Sequence, residues 1–290
     1  MTAAFPDARE ILARLVAFDT VSSKSNLPLI DYVEALLASV GVASVRTPDP
    51  TGTKAALFAT LGPTDRGGVL LSGHTDVVPV GGRGWTSDPF TLTERDGRLY
   101  GRGACDMKGY LAGVLAAVPR FLAADLATPI HLMFSYDEEI GCVGVERTIA
   151  RFGRDLPKPR LCLVGEPTEM TVVDAHKSVY AFETVVTGRS AHASMPQLGA
   201  NAVLAAGKLL VELDHMREAL AMDGDPSGRF TPAETTVTVG IVDGGEASNI
   251  VPGRCRISWG FRGLPGFDPA GQPARLAAFA ERRDPVWKGC

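Results

Sequence analysis

Four short clusters carry the residue types that hold metals and move protons. They are Gly73-His74-Thr75-Asp76, Gly103-Ala104-Cys105-Asp106-Met107-Lys108-Gly109, Asp137-Glu138-Glu139 and Gly165-Glu166-Pro167-Thr168. A neutral imidazole among several carboxylates suits zinc or cobalt, and one carboxylate can bridge two such ions. Taken singly, each element also has a plain structural role. His74 alone reads as a satisfied structural histidine, Glu138-Glu139 as a solvated loop, and Asp106 as the N-cap of the helix that follows. Gly101-Arg102-Gly103 opens like a dinucleotide fingerprint, but Asp106 stands where the third glycine belongs, so that reading is rejected.

Other chemistries fit less well. The five cysteines are odd in number and widely spaced, with no Cys-x-x-Cys, so all are expected to be plain thiols. No Gly-x-Ser-x-Gly elbow and no His-Glu-x-x-His occurs, which disfavours a serine hydrolase and a gluzincin-type protease. The formal net charge of -4 and the lack of a basic run with interleaved aromatics argue against a nucleic-acid partner. Apolar runs stop well short of the ~18 residues that suggest a membrane span. Asp7, Arg9 and Glu10 stand where a signal peptide needs an apolar core, so a cytoplasmic protein is expected.

Apolar periodicity supplies the elements that must position the clusters. Three of the clusters directly follow apolar runs read as strands, over 69–71, 130–136 and 160–164. The fourth opens a helix over 107–124, with Leu111, Val114, Leu115, Val118, Phe121 and Leu122 on one face and Pro119 as a kink. Two earlier helices, around Ile11–Val16 and Ile30–Val40, and strands over 42–46 and 54–61 complete an alternating α/β pattern. Continuous apolar strands between helices predict a mixed, mostly buried sheet flanked by helices. Ligands of such sheets gather at the carboxyl ends of strands, where the clusters lie. Beyond Ser178 the order becomes β-α-β-β, and Cys255, Ile257, Trp259 and Phe261 alternate with polar residues. That predicts a small α+β, ferredoxin-like domain with one wet face. The expected domains are 1–178, 179–265 and a divergent tail, 266–290.

As a set, these motifs resemble a known family. Gly73-His74-Thr75-Asp76-Val77-Val78-Pro79, the Gly-x-Gly-x-x-Asp-Met-Lys-Gly stretch, the Asp137 and Gly165 clusters, and Gly188-Arg189-Ser190-Ala191-His192-Ala193-Ser194 occur in the order of the two-zinc aminoacylase and carboxypeptidase family. The resemblance covers about residues 11–262. Within the family, FSYDEEIGCVG (134–144) and EPTEMTVVDAHKSVYAFETVVT (166–187) resemble the acetylornithine deacetylase branch.

The resemblance implies a metallopeptidase-like catalytic domain, a dimerisation domain and a homodimer. It implies zinc, two ions per subunit, with cobalt able to substitute. His74 and Glu166 would hold the first ion, Glu139 the second, and Asp106 would bridge them. Glu138 would be the general base, and Asp76 would accept the other ring N–H of His74. His192 would stabilise the oxyanion from a partner subunit, and Asn249 with Arg262 would grip a substrate α-carboxylate. A cis peptide between Asp106 and Met107 is implied as well. The implied reaction is hydrolysis of a small N-acyl amino acid, with N2-acetyl-L-ornithine, in arginine biosynthesis, the first choice. A succinyl-diaminopimelate desuccinylase or another N-acyl amino acid amidohydrolase is the rival within the family.

One departure accompanies the match. The family's last metal ligand, a His on the second zinc, belongs to a C-terminal return segment about a hundred residues further on. His215 is the last histidine here and falls within the helix read over 200–220, while His131 lies in a strand and His176 near the hinge. The expectation is therefore a chain that holds one metal better than two and turns over poorly. The rival from another class is a catalytically impaired chain that binds metal and dimerises.

Overall fold

Residues 4–81, 84–269, 271–273 and 276–277 are described by the computed structural model. Two compact units divide the chain, Met1–Thr171 and Val172–Cys290.

The first unit begins with α1 (Ala8–Ala17), which starts where Asp7 and Glu10 form a reciprocal capping box with both bonds at 2.9 Å. Its Ile11, Leu12, Leu15 and Val16 face inward. Next comes α2 (Leu27–Ala38), with Pro28 in its first turn; beyond its end Gly41 adopts φ +78°. A hairpin of β1 (Ser44–Pro48) and β2 (Ala55–Leu61) is closed by the Asp49 carboxylate, which accepts from Lys54 N at 2.9 Å. Then come β3 (Val69–His74) and a small hairpin of β4 (Thr93–Arg95) and β5 (Arg98–Tyr100). That hairpin turns on Asp96-Gly97, both at positive φ, a signal the sequence reading did not use. A wide turn over Ala104–Lys108, in which Lys108 N donates to the Gly103 carbonyl at 2.8 Å, leads into α3 (Gly109–Ala123), which accommodates Pro119. The unit continues with β6 (Ile130–Ser135), α4 (Glu146–Ile149) and β7 (Leu161–Val164).

The five strands form one sheet in the order β1-β2-β6-β3-β7. β3 runs parallel to β6 and β7, while β2 is antiparallel to both β1 and β6. Apolar residues of α1, α2 and α3 pack with Leu57, Leu61, Leu132 and Phe134 to form the main core. A second cluster contains Phe58, Leu70, Met133 and Leu156. Residues 58 and 133 alternate with 57 and 134, so the two clusters take opposite faces of the sheet. This is the mixed, helix-flanked sheet expected, with one correction. All four residues of β7 are exposed, although its apolar run reads as a buried strand. Among the described residues β7 is an edge strand paired with β3, and none of its residues joins the hydrophobic clusters on either face of the sheet.

The second unit contains β8 (Ser178–Thr187), β9 (Ala191–His192), α5 (Ala202–Ala221), β10 (Thr236–Gly244), β11 (Ile250–Val251) and β12 (Arg254–Gly263). The antiparallel order is β10-β12-β8, and β9 pairs separately with β11. One face carries Cys255, Ile257, Trp259 and Phe261, packed under Ala206, Leu209, Leu213 and Met216 of α5. Burying those alternate residues leaves Arg254 and Arg262 exposed, as period-two alternation requires. Cys105, Cys142, Cys162 and Cys255 are free thiols, while Cys290 and most of the expected tail lie outside the described residues. Among the described residues no helix is long and apolar enough to cross a membrane.

Candidate metal centre

The parallel register of β3, β6 and β7 brings three clusters to one edge. His74 pairs with Ser135, and Ser72 with Val164, so His74, the residues after Ser135 and those after Val164 emerge side by side. The Asp106 turn joins them because Gly73 has no side chain. A Cβ there would lie 2.6 Å from Leu111 Cδ2 and 2.7 Å from Met107 Cε. The peptide between Asp106 and Met107 is cis, as the resemblance implies. Gly165 does the same work for Glu166, since a Cβ there would lie 2.1 Å from the Tyr110 ring.

His74 is the centre of the arrangement and is 2% exposed. Its Nε2 lies 3.0 Å from Asp106 Oδ1, 3.7 Å from Glu166 Oε1 and 3.8 Å from Glu138 Oε2. Among the described residues two sets of potential ligand atoms fall within 4.8 Å of one another: His74, Asp106 and Glu139, and His74, Glu138 and Glu166. All five expected residues are thus brought together. Both sets share the same imidazole.

The tautomer follows from the other ring nitrogen. Nδ1 lies 2.9 Å from the carbonyl of Asp76 and 3.5 Å from that residue's Oδ1. An N–H on Nδ1 donates first to the carbonyl, which directs Nε2 at the carboxylates. This refines the expected role of Asp76. Its carboxylate accepts from Ser22 Oγ at 2.7 Å, Glu138 N at 3.1 Å and Glu139 N at 3.3 Å. It therefore grips the loop of the two glutamates as well as facing the ring.

Electrostatics match this crowding. Burial opposes a charge on His74, but the Asp76 carboxylate and then Glu166 outweigh it and raise the imidazole pKa to about 9. Burial, then the charges of Asp106 and Glu138, push Glu166 up to about 7 against the pull of His74. Glu139 is raised by burial and by Asp106. Burial would raise Asp76 too, but hydrogen bonds from His74, Ser22 and Glu138 N hold it below the usual carboxylate range. Four carboxylates around one imidazole form a donor set that a divalent cation relieves, and the mix of nitrogen and oxygen ligands fits zinc or cobalt.

Two neighbours lie within quoted motifs but carry no expected role. Cys142 Sγ donates to Glu138 Oε1 at 3.3 Å, and burial followed by that carboxylate raises the thiol to about 11. Lys108 is fully buried and its Nζ donates to the Phe18 carbonyl at 2.8 Å; burial depresses the ammonium to about 7, against the charges of Asp19 and Asp76. No local pattern announces either contact.

The other expected residues lie in the second unit. His192 is exposed, with Nδ1 2.7 Å from Ser194 Oγ, and it pairs with Ile250. Ala193 N donates to the Asn249 carbonyl at 2.8 Å, so Asn249 and His192 are neighbours. Arg262 is exposed near the far end of β12, paired with Val179. His131 is a core histidine stacked on Phe58, and His215 is on α5, 3.5 Å from Glu212. His176 is exposed and contacts the Lys177 carbonyl at 2.8 Å.

Comparison with known proteins supplies the family. Residues 70–255 match the model of peptidase family M20/M25/M40. The chain belongs to that family. An M20 relative from Myxococcus xanthus named acetylornithine deacetylase is 38% identical over 274 residues, covering 93% of this chain and 70% of that protein. Another of that name, from Proteus mirabilis, is 33% identical, covering 92% and 69%. Among solved structures, an M20 family metallo-carboxypeptidase from Sulfolobus solfataricus has a TM-score of 0.76 at 20% identity, over 96% of this chain and 76% of that one. A dinuclear metal binding M20 peptidase from Bacillus subtilis has a TM-score of 0.61 at 16% identity, covering 95% and 68%. The M20 chain described here is thus a metal-dependent amidohydrolase with an M20 metallopeptidase fold.

Proposed function

We propose that the chain hydrolyses the amide of an N-acyl amino acid, with N2-acetyl-L-ornithine, giving L-ornithine and acetate, the first choice. The convergence of His74, Asp106, Glu138, Glu139 and Glu166 carries the reaction type. The names of the relatives support the substrate. In this reading the chain works in the cytoplasm, in arginine biosynthesis.

His74 and Glu166 would hold one ion, Glu139 the other, and Asp106 would bridge them. When bound, the metals polarise the scissile carbonyl and acidify the attacking water. Glu138 takes a proton from that water on its carboxylate and returns it to the leaving amine nitrogen. Asp76 holds the Glu138 backbone so that the carboxylate stays at the reacting centre. His192 donates to the oxyanion, while the Arg262 fork and Asn249 hold the substrate carboxylate.

The geometry of the second unit supports a homodimer. His192 and Asn249 lie near the start of β12, whereas Arg262 is eight residues beyond Arg254, about 27 Å along an extended strand. No small N-acyl amino acid spans that distance. If all three serve one substrate, they come from two copies.

The deciding experiment is zinc and cobalt titration of the purified chain beside assays on acetylornithine and succinyl-diaminopimelate. One ion should bind more tightly than a second, because His74 is the one imidazole in these ligand sets among the described residues and the assignment gives it to a single ion. Metal-dependent turnover of acetylornithine would agree with the proposed substrate, and an ordinary rate of roughly 1–1000 per second would overturn the expectation of poor turnover. Preference for the succinyl substrate would replace acetylornithine, and metal binding without turnover of either would leave a metal-binding chain.

A further inference from the structure

We propose that Lys54 is a positioning residue for the loop that carries Glu138 and Glu139. The inference deepens the reading above and rests on the role given there to that loop. Lys54 belongs to none of the four clusters and is 83 residues from its partner Asp137.

The side chain of Lys54 is only 14% exposed, although lysine is seldom buried unless paired. Its backbone is fixed first. Lys54 N donates to Asp49 Oδ1 at 2.9 Å, and its carbonyl accepts from Asp49 N at 2.9 Å, so the β1–β2 turn sets where the ammonium begins. Nζ then donates to Asp137 Oδ1 at 2.5 Å and to the carbonyl of Ser22. Asp137 is itself 13% exposed on its side chain and directly precedes Glu138.

Both contacts lead to the same loop. The first is direct, through Asp137. The second runs through Ser22, whose Oγ donates to Asp76 Oδ2, while Asp76 accepts from Glu138 N and Glu139 N. Lys54 therefore ties the loop's first side chain and the anchor of its next two amides to one rigid hairpin. The loop needs such ties. Asp137 and Cys142 sit at φ 56° and 59°, a left-handed conformation that non-glycine residues hold only where surroundings enforce it. Without the ammonium, Asp137 would be a poorly solvated, unpaired charge at the foot of the loop.

The test uses Lys54→Met, Lys54→Arg and the double variant Lys54→Met/Asp137→Asn, which leaves no orphaned charge. Three quantities are read: kcat and KM on acetylornithine with cobalt, amide hydrogen exchange of residues 137–142 without metal, and thermal melting. The double variant should melt near the wild type yet lose about tenfold to a hundredfold in kcat, since a shift of about 1 Å costs that much, with KM within about twofold. Its 137–142 amides should exchange faster while those of β6 stay protected, and Lys54→Arg should recover most of the turnover. Wild-type kcat or wild-type loop exchange in the double variant would overturn the proposal. So would faster exchange throughout the unit, which would make Lys54 merely structural. If the wild type turns over no acetylornithine, the substrate reading has failed, and metal-free exchange alone decides the role of Lys54.

Discussion

Glu138 and Glu139 are adjacent in the chain, and the proposal gives them different work: one moves a proton and the other holds metal. Their surroundings differ: Glu139 lies in the set with Asp106, whereas Glu138 lies in the set with Glu166 and accepts from the Cys142 thiol. Glu138→Gln should lower kcat by about a hundredfold to ten-thousandfold while leaving metal affinity close to wild type. Glu139→Gln should instead weaken metal binding first, and competition with a chromophoric chelator separates the two. Protonation sets a second expectation at this scale. In the metal-free chain His74 titrates at about 9 and Glu166 at about 7, and both must lose a proton to ligate. Metal affinity should therefore fall as pH falls, by about tenfold per unit between 9 and 7, and more steeply below 7 as Glu166 also protonates. Calorimetry in buffers of different ionisation enthalpy counts the protons released. An affinity independent of pH across this window would refute the assignment.

At the scale of elements, the site depends on close approaches that only glycine allows. Gly165 lies against the ring of Tyr110, whose hydroxyl donates to the Leu163 carbonyl at 3.2 Å, so α3 and the end of β7 are locked together beside Glu166. Gly165→Ala must displace the ring or the strand end. We expect a loss of about 1–3 kcal/mol of stability from overpacking, together with weaker metal binding. Thermal melting with and without zinc tests both. Gly165→Ala protein with the melting point and zinc affinity of the wild type would show that the contact yields without moving Glu166. Apolar content marks β7 as a strand, but burial depends on what packs on each face, and its residues join neither hydrophobic cluster of the unit.

At the scale of the whole molecule, the proposed homodimer makes activity a shared property. His192→Ala and Glu138→Ala chains should each be nearly inactive. Mixed after dissociation, they should recover activity, because half of the sites in a mixed dimer would pair an intact Glu138 with an intact His192 from the other copy. Recovery near one quarter of wild type is the statistical expectation for random pairing of dimers. No recovery, with mixed dimers verified by mass, would place His192 in the same copy as its metal site or outside the reaction.

Reading the chain alone determined which residues meet in the candidate metal centre and which edge of the sheet they share. Apolar runs ending at His74, before Asp137 and before Glu166 are local patterns, and parallel strands necessarily present their ends together. The alternation over Cys255–Phe261 likewise dictated which face of β12 is buried, because a strand has a period of two. What only the tertiary structure decided is how those residues are held. Asp76 gripping the Glu138 and Glu139 amides, Lys54 meeting Asp137, and Cys142 folding back on Glu138 depend on loop paths and left-handed residues. The Asp76 and Lys54 contacts also join residues more than sixty positions apart. No periodicity encodes them, since hydrophobic pattern fixes the face of an element, whereas hydrogen bonds between loops follow from where the packed elements leave their ends.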